Sequence, residues 1–218
     1  MTYGKFTLTL RLVNRLAAVP ELRKSDLAAD PLEQFQSWYA EAGAAEDRPA
    51  EAMALATATN DGAPSVRMVL LKGADKRGFV FFTGYASRKA AELDANPRGA
   101  LLFHWPAGGR QVRVEGRVER VAGQESDAYF ATRPRGAQLA ATASQQSAVL
   151  SSREEIDERV AELDRANAGD DLRRPDHWGG YRLVPETYEF WQHRDDRMHD
   201  RLRYRRSGGD WAVERLSP

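Results

Sequence analysis

AMALATATNDGAPSVRMVLLK, residues 52–72, holds two short runs rich in apolar and β-branched residues on either side of Asn60-Asp61-Gly62. A turn tripeptide between two such runs predicts a hairpin. After ADKRG a third run follows, FVFFTG (Phe79–Gly84), and the three together read as an antiparallel meander. Further along, GALLFHW and RQVRVEGRVERV resume strand character. In the latter Val112, Val114 and Val118 share one parity, opposite to Gln111, Arg113, Glu115 and Arg117, as expected of a half-exposed strand bent at Gly116. YRLVPETYEFWQ, DRLRYRR and WAVERL complete the set, the last two joined by the hairpin residues Ser207-Gly208-Gly209-Asp210.

Helices fall between and around these strands. Asp30 is placed to cap a helix opened by Pro31, with Leu32, Phe35, Trp38, Tyr39 and Ala42 at helical spacing and an end near Gly43. Ser87 caps SRKAAELDANP, which Pro97 closes. Residues 123–143 read as two helices broken at Pro134, and Ser152-x-x-Glu155 as a capping box for a helix burying Ile156, Val160 and Leu163. Roughly seven strands with intervening helices predict a mainly β, α+β fold: a small closed or nearly closed antiparallel barrel with helices packed around it. Residues 1–29 show no period and read as an N-terminal arm laid on a single domain spanning 30–218.

Composition narrows the function. Lys and Arg total 32, as do Asp and Glu, so no global field favours nucleic acid or an anionic membrane. There is no cysteine, which excludes disulfides and thiolate chemistry. Arg11 and Arg15 interrupt the only candidate export signal, and no apolar run approaches the roughly 20 residues of a membrane helix, so a soluble cytoplasmic protein is expected. Neither G-x-G-x-x-G nor G-x-x-x-x-G-K-[ST] occurs.

Several clusters suit an anionic ligand. Arg67 and Lys72 stand at an odd spacing, which on a continuous strand puts them on opposite faces, as two anion contacts or as the wet ends of a core strand. Arg88 and Lys89 follow Ser87 at a helix start, where free amides already attract phosphate. Tyr129 lies one helical turn before Arg133, and SQQS (144–147) adds neutral donors. FWQHRDDRMHDRLRY (Phe190–Tyr204) combines four arginines, two histidines and three aspartates. It lacks the asparagine of a kinase loop, its histidine spacing fits no metal motif, and its aspartates cancel a nucleic-acid field, so no metal site is expected there.

In order, RMVLLK, FFTGYASRKAAEL, RQVRVEG, YFATRPRGAQL, SQQS, WGGYRL, EFWQHRDDRMHDRLRY and the terminal W-x-V-E-R-L-x-P closely resemble the pyridoxine/pyridoxamine 5′-phosphate oxidase family over residues 26–218. The resemblance implies an FMN-binding split β-barrel and a homodimer with FMN at the interface. It implies oxidation of pyridoxine or pyridoxamine 5′-phosphate to pyridoxal 5′-phosphate, with dioxygen reduced to hydrogen peroxide. It assigns Arg67, Arg88, Lys89, Thr83, Gln146 and Ser147 to the FMN phosphate, and Met68, Val69, Leu70, Leu71, Lys72, Phe82, Gln111, Trp191 and Arg201 to further cofactor contacts. Lys72, Tyr129 and Arg133 fall in the substrate-phosphate pocket, while Arg197 and His199 cover the pyridine ring and are the catalytic candidates, with Met198 a further substrate contact.

The chain also departs from the family. Ala137 stands where many members have serine, Thr142 where tryptophan is common and His193 where glycine usually follows FWQ, and the usual arginine/tyrosine-bearing arm is not recognisable. Two further readings are an oxidase for another aromatic substrate, of the phenazine-biosynthesis kind, and a non-catalytic flavin- or pyridoxal-phosphate-binding protein. Lys72, Tyr129, Arg133, Arg197 and His199 together favour a phosphorylated pyridine.

Overall fold

A computed structural model describes residues 21–45, 49–169 and 171–218. Among them run α1 (Pro31–Ala45), β1 (Ala52–Ala58), β2 (Pro64–Leu70), β3 (Gly73–Asp75), β4 (Gly78–Gly84), α2 (Arg88–Ala95), β5 (Arg98–Trp105) and β6 (Arg110–Arg120). They continue with α3 (Gly123–Ala131), α4 (Arg135–Ala143), α5 (Arg153–Ala166), β7 (Trp178–Gln192), β8 (Asp200–Ser207) and β9 (Asp210–Arg215). All pairings are antiparallel, in the order β2-β1-β5-β6-β7-β4-β3, with β8 added to β7 and β9 to β8. Only Leu71 and Lys72 separate β2 from β3, the two ends of that order. Leu71 N–H donates to Glu51 O beside β1 and Lys72 N–H to Val80 O on β4, so the chain crosses from one rim to the other and curls the sheet into a half-barrel.

The barrel interior is filled by inward-facing residues of alternating parity: Met53 and Leu55, Phe79 and Phe81, Leu101 and Phe103, Val112, Val114 and Val118, Leu183 and Phe190. Helix α1 closes one end. Phe35 packs edge-on against Phe79 at 4.8 Å and Phe103 at 4.9 Å, and Trp38 against Phe190 at 5.2 Å; each such burial is worth roughly 1.5–3 kcal/mol. The Asp30 carboxylate caps α1 by accepting the Leu32 N–H at 2.8 Å.

The bend at Gly116 is a β-bulge. Glu115 pairs with Thr187 but Gly116 with Pro185, which leaves Glu186 extra on β7. A Cβ at Gly116 would stand 2.0 Å from the Val184 carbonyl oxygen, so only glycine permits that approach.

Three expectations need correction. Among the described residues nine strands form rather than roughly seven: the eight runs quoted above and three-residue β3, which is too short to show alternation. Ser152 makes no side-chain cap on α5; Glu155 instead accepts from the Ser151 N–H and hydroxyl, while Ile156, Val160 and Leu163 share a face only half-buried. Lys72 lies beyond the end of β2, so strand parity does not separate it from Arg67.

Of the expected arm, residues 1–20 lie outside the described residues. Residues 21–29 run along β8 and β9: Leu22 N–H donates to Asp200, Lys24 to Val213 O, and the Tyr204 hydroxyl to Ala28 O. Among the described residues no helix is long and apolar enough to cross a membrane, and no cluster of three or more His, Cys, Asp or Glu is arranged to hold a metal.

Candidate active site

One cavity of about 510 Å³ gathers most of the predicted site residues: Arg67, Met68, Val69, Leu70, Lys72, Phe82, Thr83, Lys89, Tyr129, Arg133, Gln146 and Ser147, with Trp178 besides. Its cationic end forms where the N-terminus of α2 meets β2 and β4. Ser87 caps α2, accepting the Ala90 N–H. The Arg88 N–H donates to the Ser147 hydroxyl, Ser147 being held in the left-handed region at φ 74°. Lys89 is buried and donates to two neutral oxygens, Thr83 Oγ1 at 3.1 Å and Gln146 Oε1 at 3.0 Å. Burial and then the neighbouring Arg67 charge pull its ammonium below the ordinary lysine value. A buried cation solvated only by neutral oxygens suits an anion such as phosphate.

Sequence reading missed Glu92. It is 4% exposed, accepts from the Ser65 and Thr57 hydroxyls, and is ion-paired with Arg88 at 2.8 Å and Arg67 at 3.2 Å. The hydroxyls of Ser65 and Thr57, then Arg88 and Arg67, hold its carboxyl down to about 2. Its position four residues after Arg88 was the available signal. Because the folded value is depressed, the stabilisation from Glu92 is complete above the ordinary value of 4.5 and is lost as pH falls toward 2. Thermal melts of Glu92→Gln and the parent should therefore differ most near neutrality and converge through that acid window.

The apolar end carries rings. Phe82 and Tyr129 stack with centroids 3.9 Å apart, and Trp178 lies nearly parallel to Phe82 at 5.4 Å. Arg133, one helical turn after Tyr129, is half-buried, and its Nη1 is buried with no hydrogen-bond partner. Burial lowers its pKa, outweighing the opposing effect of Tyr129. Lys72 reaches the same cavity and lies 3.4 Å from Glu51.

Other expected site residues stand elsewhere. Leu71 turns into the core and Arg88 points toward solvent and Glu92. Gln111, Trp191 and Arg201 form one row across β6, β7 and β8, since Gln111 pairs with Trp191 and Trp191 with Arg201. They line a separate cleft of about 250 Å³ with Leu102, Arg113, Glu189 and Pro218. The buried Glu189, also missed, ties Arg113 to Arg201, whose Nε it meets at 2.7 Å; that bond raises the arginine pKa further.

Arg197, Met198 and His199 lie on the β7–β8 loop. Arg197 is left-handed at φ 65°, and Met198 is exposed. His199 Nδ1 accepts the Arg194 N–H, and its ring lies 4.6 Å from Trp191 and 5.3 Å from His193. Of the three aspartates in the run, Asp200 pairs with Arg215, Asp195 lies 3.3 Å from His193, and Asp196 accepts the Met198 N–H.

Between cavity and cleft the sheet presents an exposed apolar face. Val66, Met68 and Leu70 point outward from β2, Met68 at 65% exposure, and Met68 is linked through Ala54 to Leu102 on β5. The run RMVLLK is therefore no core strand in the protomer.

The family model described as pyridoxamine 5′-phosphate oxidase matches residues 41–165, and that of the pyridoxine 5′-phosphate oxidase C-terminal dimerisation region matches 178–218. Relatives named pyridoxine/pyridoxamine 5′-phosphate oxidase include one from Cupriavidus necator, 53% identical over 94% of this chain and 97% of its own, and one from Rubrobacter xylanophilus, 57% identical over 87% of each. Among solved structures, PhzG from Burkholderia lata, in complex with tetrahydrophenazine-1-carboxylic acid, is 36% identical with a TM-score of 0.86, over 93% of this chain and all of its own. An FMN-binding protein from Nostoc punctiforme shares the fold at a TM-score of 0.71 and 16% identity, over 88% of this chain and all of its own. With a split-barrel sheet and family matches over both 41–165 and 178–218, the chain belongs to the pyridoxine/pyridoxamine 5′-phosphate oxidase family of oxidoreductases.

Proposed function

We propose that the protein is an FMN-dependent oxidase converting pyridoxine or pyridoxamine 5′-phosphate to pyridoxal 5′-phosphate, with dioxygen reduced to hydrogen peroxide. The observation that carries this reading is that one cavity gathers four cations, Arg67, Lys72, Lys89 and Arg133, with the apolar residues of β2 and the stacked rings of Phe82 and Tyr129. That pattern suits two anionic groups joined by flat aromatic surfaces. Lys89, Thr83, Gln146, Ser147 and Arg67 would hold the cofactor phosphate, with Met68, Val69, Leu70 and Phe82 against its ring. Bound there, FMN supplies the electron acceptor for oxidation at the substrate's C4′ carbon.

The protein's part is placement. Lys72, Tyr129 and Arg133 fix the substrate phosphate, and Arg197 and His199 orient the ring. The expected cofactor contacts Gln111, Trp191 and Arg201 lie in a different cleft, so the site is completed by a homodimer in which one protomer's cleft faces its partner's cavity. The exposed Val66, Met68 and Leu70 stripe and the matched dimerisation region support this arrangement. Residues 30–218 act as one cytoplasmic oxidase domain with 1–29 as its arm.

The likeness to PhzG favours a second reading, an aromatic carboxylate as substrate, since Arg133 suits a carboxylate as well. Aerobic turnover separates the two. The proposal expects peroxide and aldehyde from pyridoxamine 5′-phosphate and far slower oxidation of phosphate-free aromatic carboxylates; the reverse order would establish the second reading.

A further inference from the structure

We infer that Trp178 is a positioning residue for substrate binding: its indole face holds the Arg133 guanidinium in place to receive the substrate's anionic end. The inference rests on the proposed substrate site. The Arg133 guanidinium carbon lies 4.7 Å from the Trp178 ring centroid and 5.9 Å from that of Phe130. Among the described residues no carboxylate is ion-paired with Arg133, and its Nη1 is buried without a partner. Arg182 and Arg174, by contrast, each have a carboxylate, Glu125 and Asp127, both at 2.6 Å, although Arg182 Nε is also buried without a partner.

A carboxylate at Arg133 would compete with an incoming phosphate for the same N–H groups. An indole face instead attracts the cation through its ring quadrupole and leaves the hydrogen-bonding edge free. Trp178 can thus stabilise a desolvated guanidinium without occupying its donors.

The indole is itself firmly placed. The backbone that carries it is fixed: the Trp178 main-chain N–H donates to Pro175 O, and its carbonyl accepts Arg174 Nη1 at 2.6 Å. Gly180 follows because a Cβ there would come 2.8 Å from the Phe82 ring, which stacks beside Trp178. The WGG of WGGYRL therefore builds the platform, and Trp178 is 7% exposed against Phe130 and Ala141.

Packing alone would also place a tryptophan here, so the test is a double-mutant cycle on the FMN-loaded enzyme. KM and kcat for pyridoxamine 5′-phosphate, FMN affinity and Tm are measured for Trp178→Leu, Trp178→Phe, Arg133→Ala and the combinations. The inference expects Trp178→Leu to raise KM about tenfold, with kcat within about twofold and FMN affinity unchanged, and Trp178→Phe to fall between. It expects the effect on KM to vanish when Arg133 is already alanine. If the tryptophan substitutions change KM equally in both backgrounds, or lower only Tm and FMN affinity, the positioning role is overturned while the substrate site stands. If Arg133→Ala itself leaves KM unchanged, the substrate site and this inference fall together. Should Trp178→Leu not fold, the Trp178→Phe cycle decides by the same criterion.

Discussion

Replacing Arg133 by alanine is expected to raise the KM for pyridoxamine 5′-phosphate by roughly ten- to a hundredfold while lowering kcat much less. Hydrogen bonds from a guanidinium to phosphate contribute about 1.5–3 kcal/mol, and about 1.4 kcal/mol corresponds to a factor of ten. In the proposed site that bond is made to a group remote from the reacting carbon, so its loss would weaken ground state and transition state alike. The variant should be at least as stable as the parent without substrate, because it removes a half-buried cation that no carboxylate neutralises among the described residues. Steady-state kinetics and thermal melts on the same preparations check both halves. Lys72→Ala should cost less, since Lys72 already lies 3.4 Å from Glu51 and gives up part of that interaction to bind.

The largest loss of stability is expected from Gly116→Ala. The added methyl would sit 2.0 Å from the Val184 carbonyl oxygen and 3.1 Å from the Glu186 nitrogen, both backbone atoms that cannot swing aside. Relief requires opening the bulge between β6 and β7, the most extensively paired strands of the sheet. Overpacking costs of about 3 kcal/mol or more follow, which in a chain this size lowers Tm by roughly 6–12 °C. An alanine variant melting within a degree or two of the parent would show that the bulge is adaptable.

Of that bulge only the bend was legible in the sequence, from a glycine that takes a valine's place in the alternation of RQVRVEGRVERV; Pro185 lies far off in the chain, and only the pairing of β6 with β7 brings the two together. The helix caps at Asp30 and Ser87 were equally local, and so were the hairpin turns. Less was visible where pairing or crossover decides position. Arg67 and Lys72 reach one cavity because the strand ends at Leu70 and the chain changes rim. Gln111, Trp191 and Arg201 form a row only through the register of three strands.

Two acids passed without notice in the sequence. Glu92 on a polar helix and Glu189 in an aromatic strand are both buried and tie down arginines that the resemblance assigns to the cofactor. Trp178 stood in plain view within WGGYRL, but nothing in the sequence revealed which cation it faces. His193 now has neighbours, Asp195 and the ring of His199, where composition alone offered none.

The most direct test of the account is a single turnover. FMN-loaded protein, yellow under anaerobic conditions, is mixed with pyridoxamine 5′-phosphate and its flavin absorbance followed, then air is admitted. The account predicts that the yellow band bleaches with release of pyridoxal 5′-phosphate and returns on admitting oxygen with a matching yield of hydrogen peroxide. A protein that binds FMN and keeps its colour in the presence of pyridoxamine and pyridoxine 5′-phosphates would contradict it.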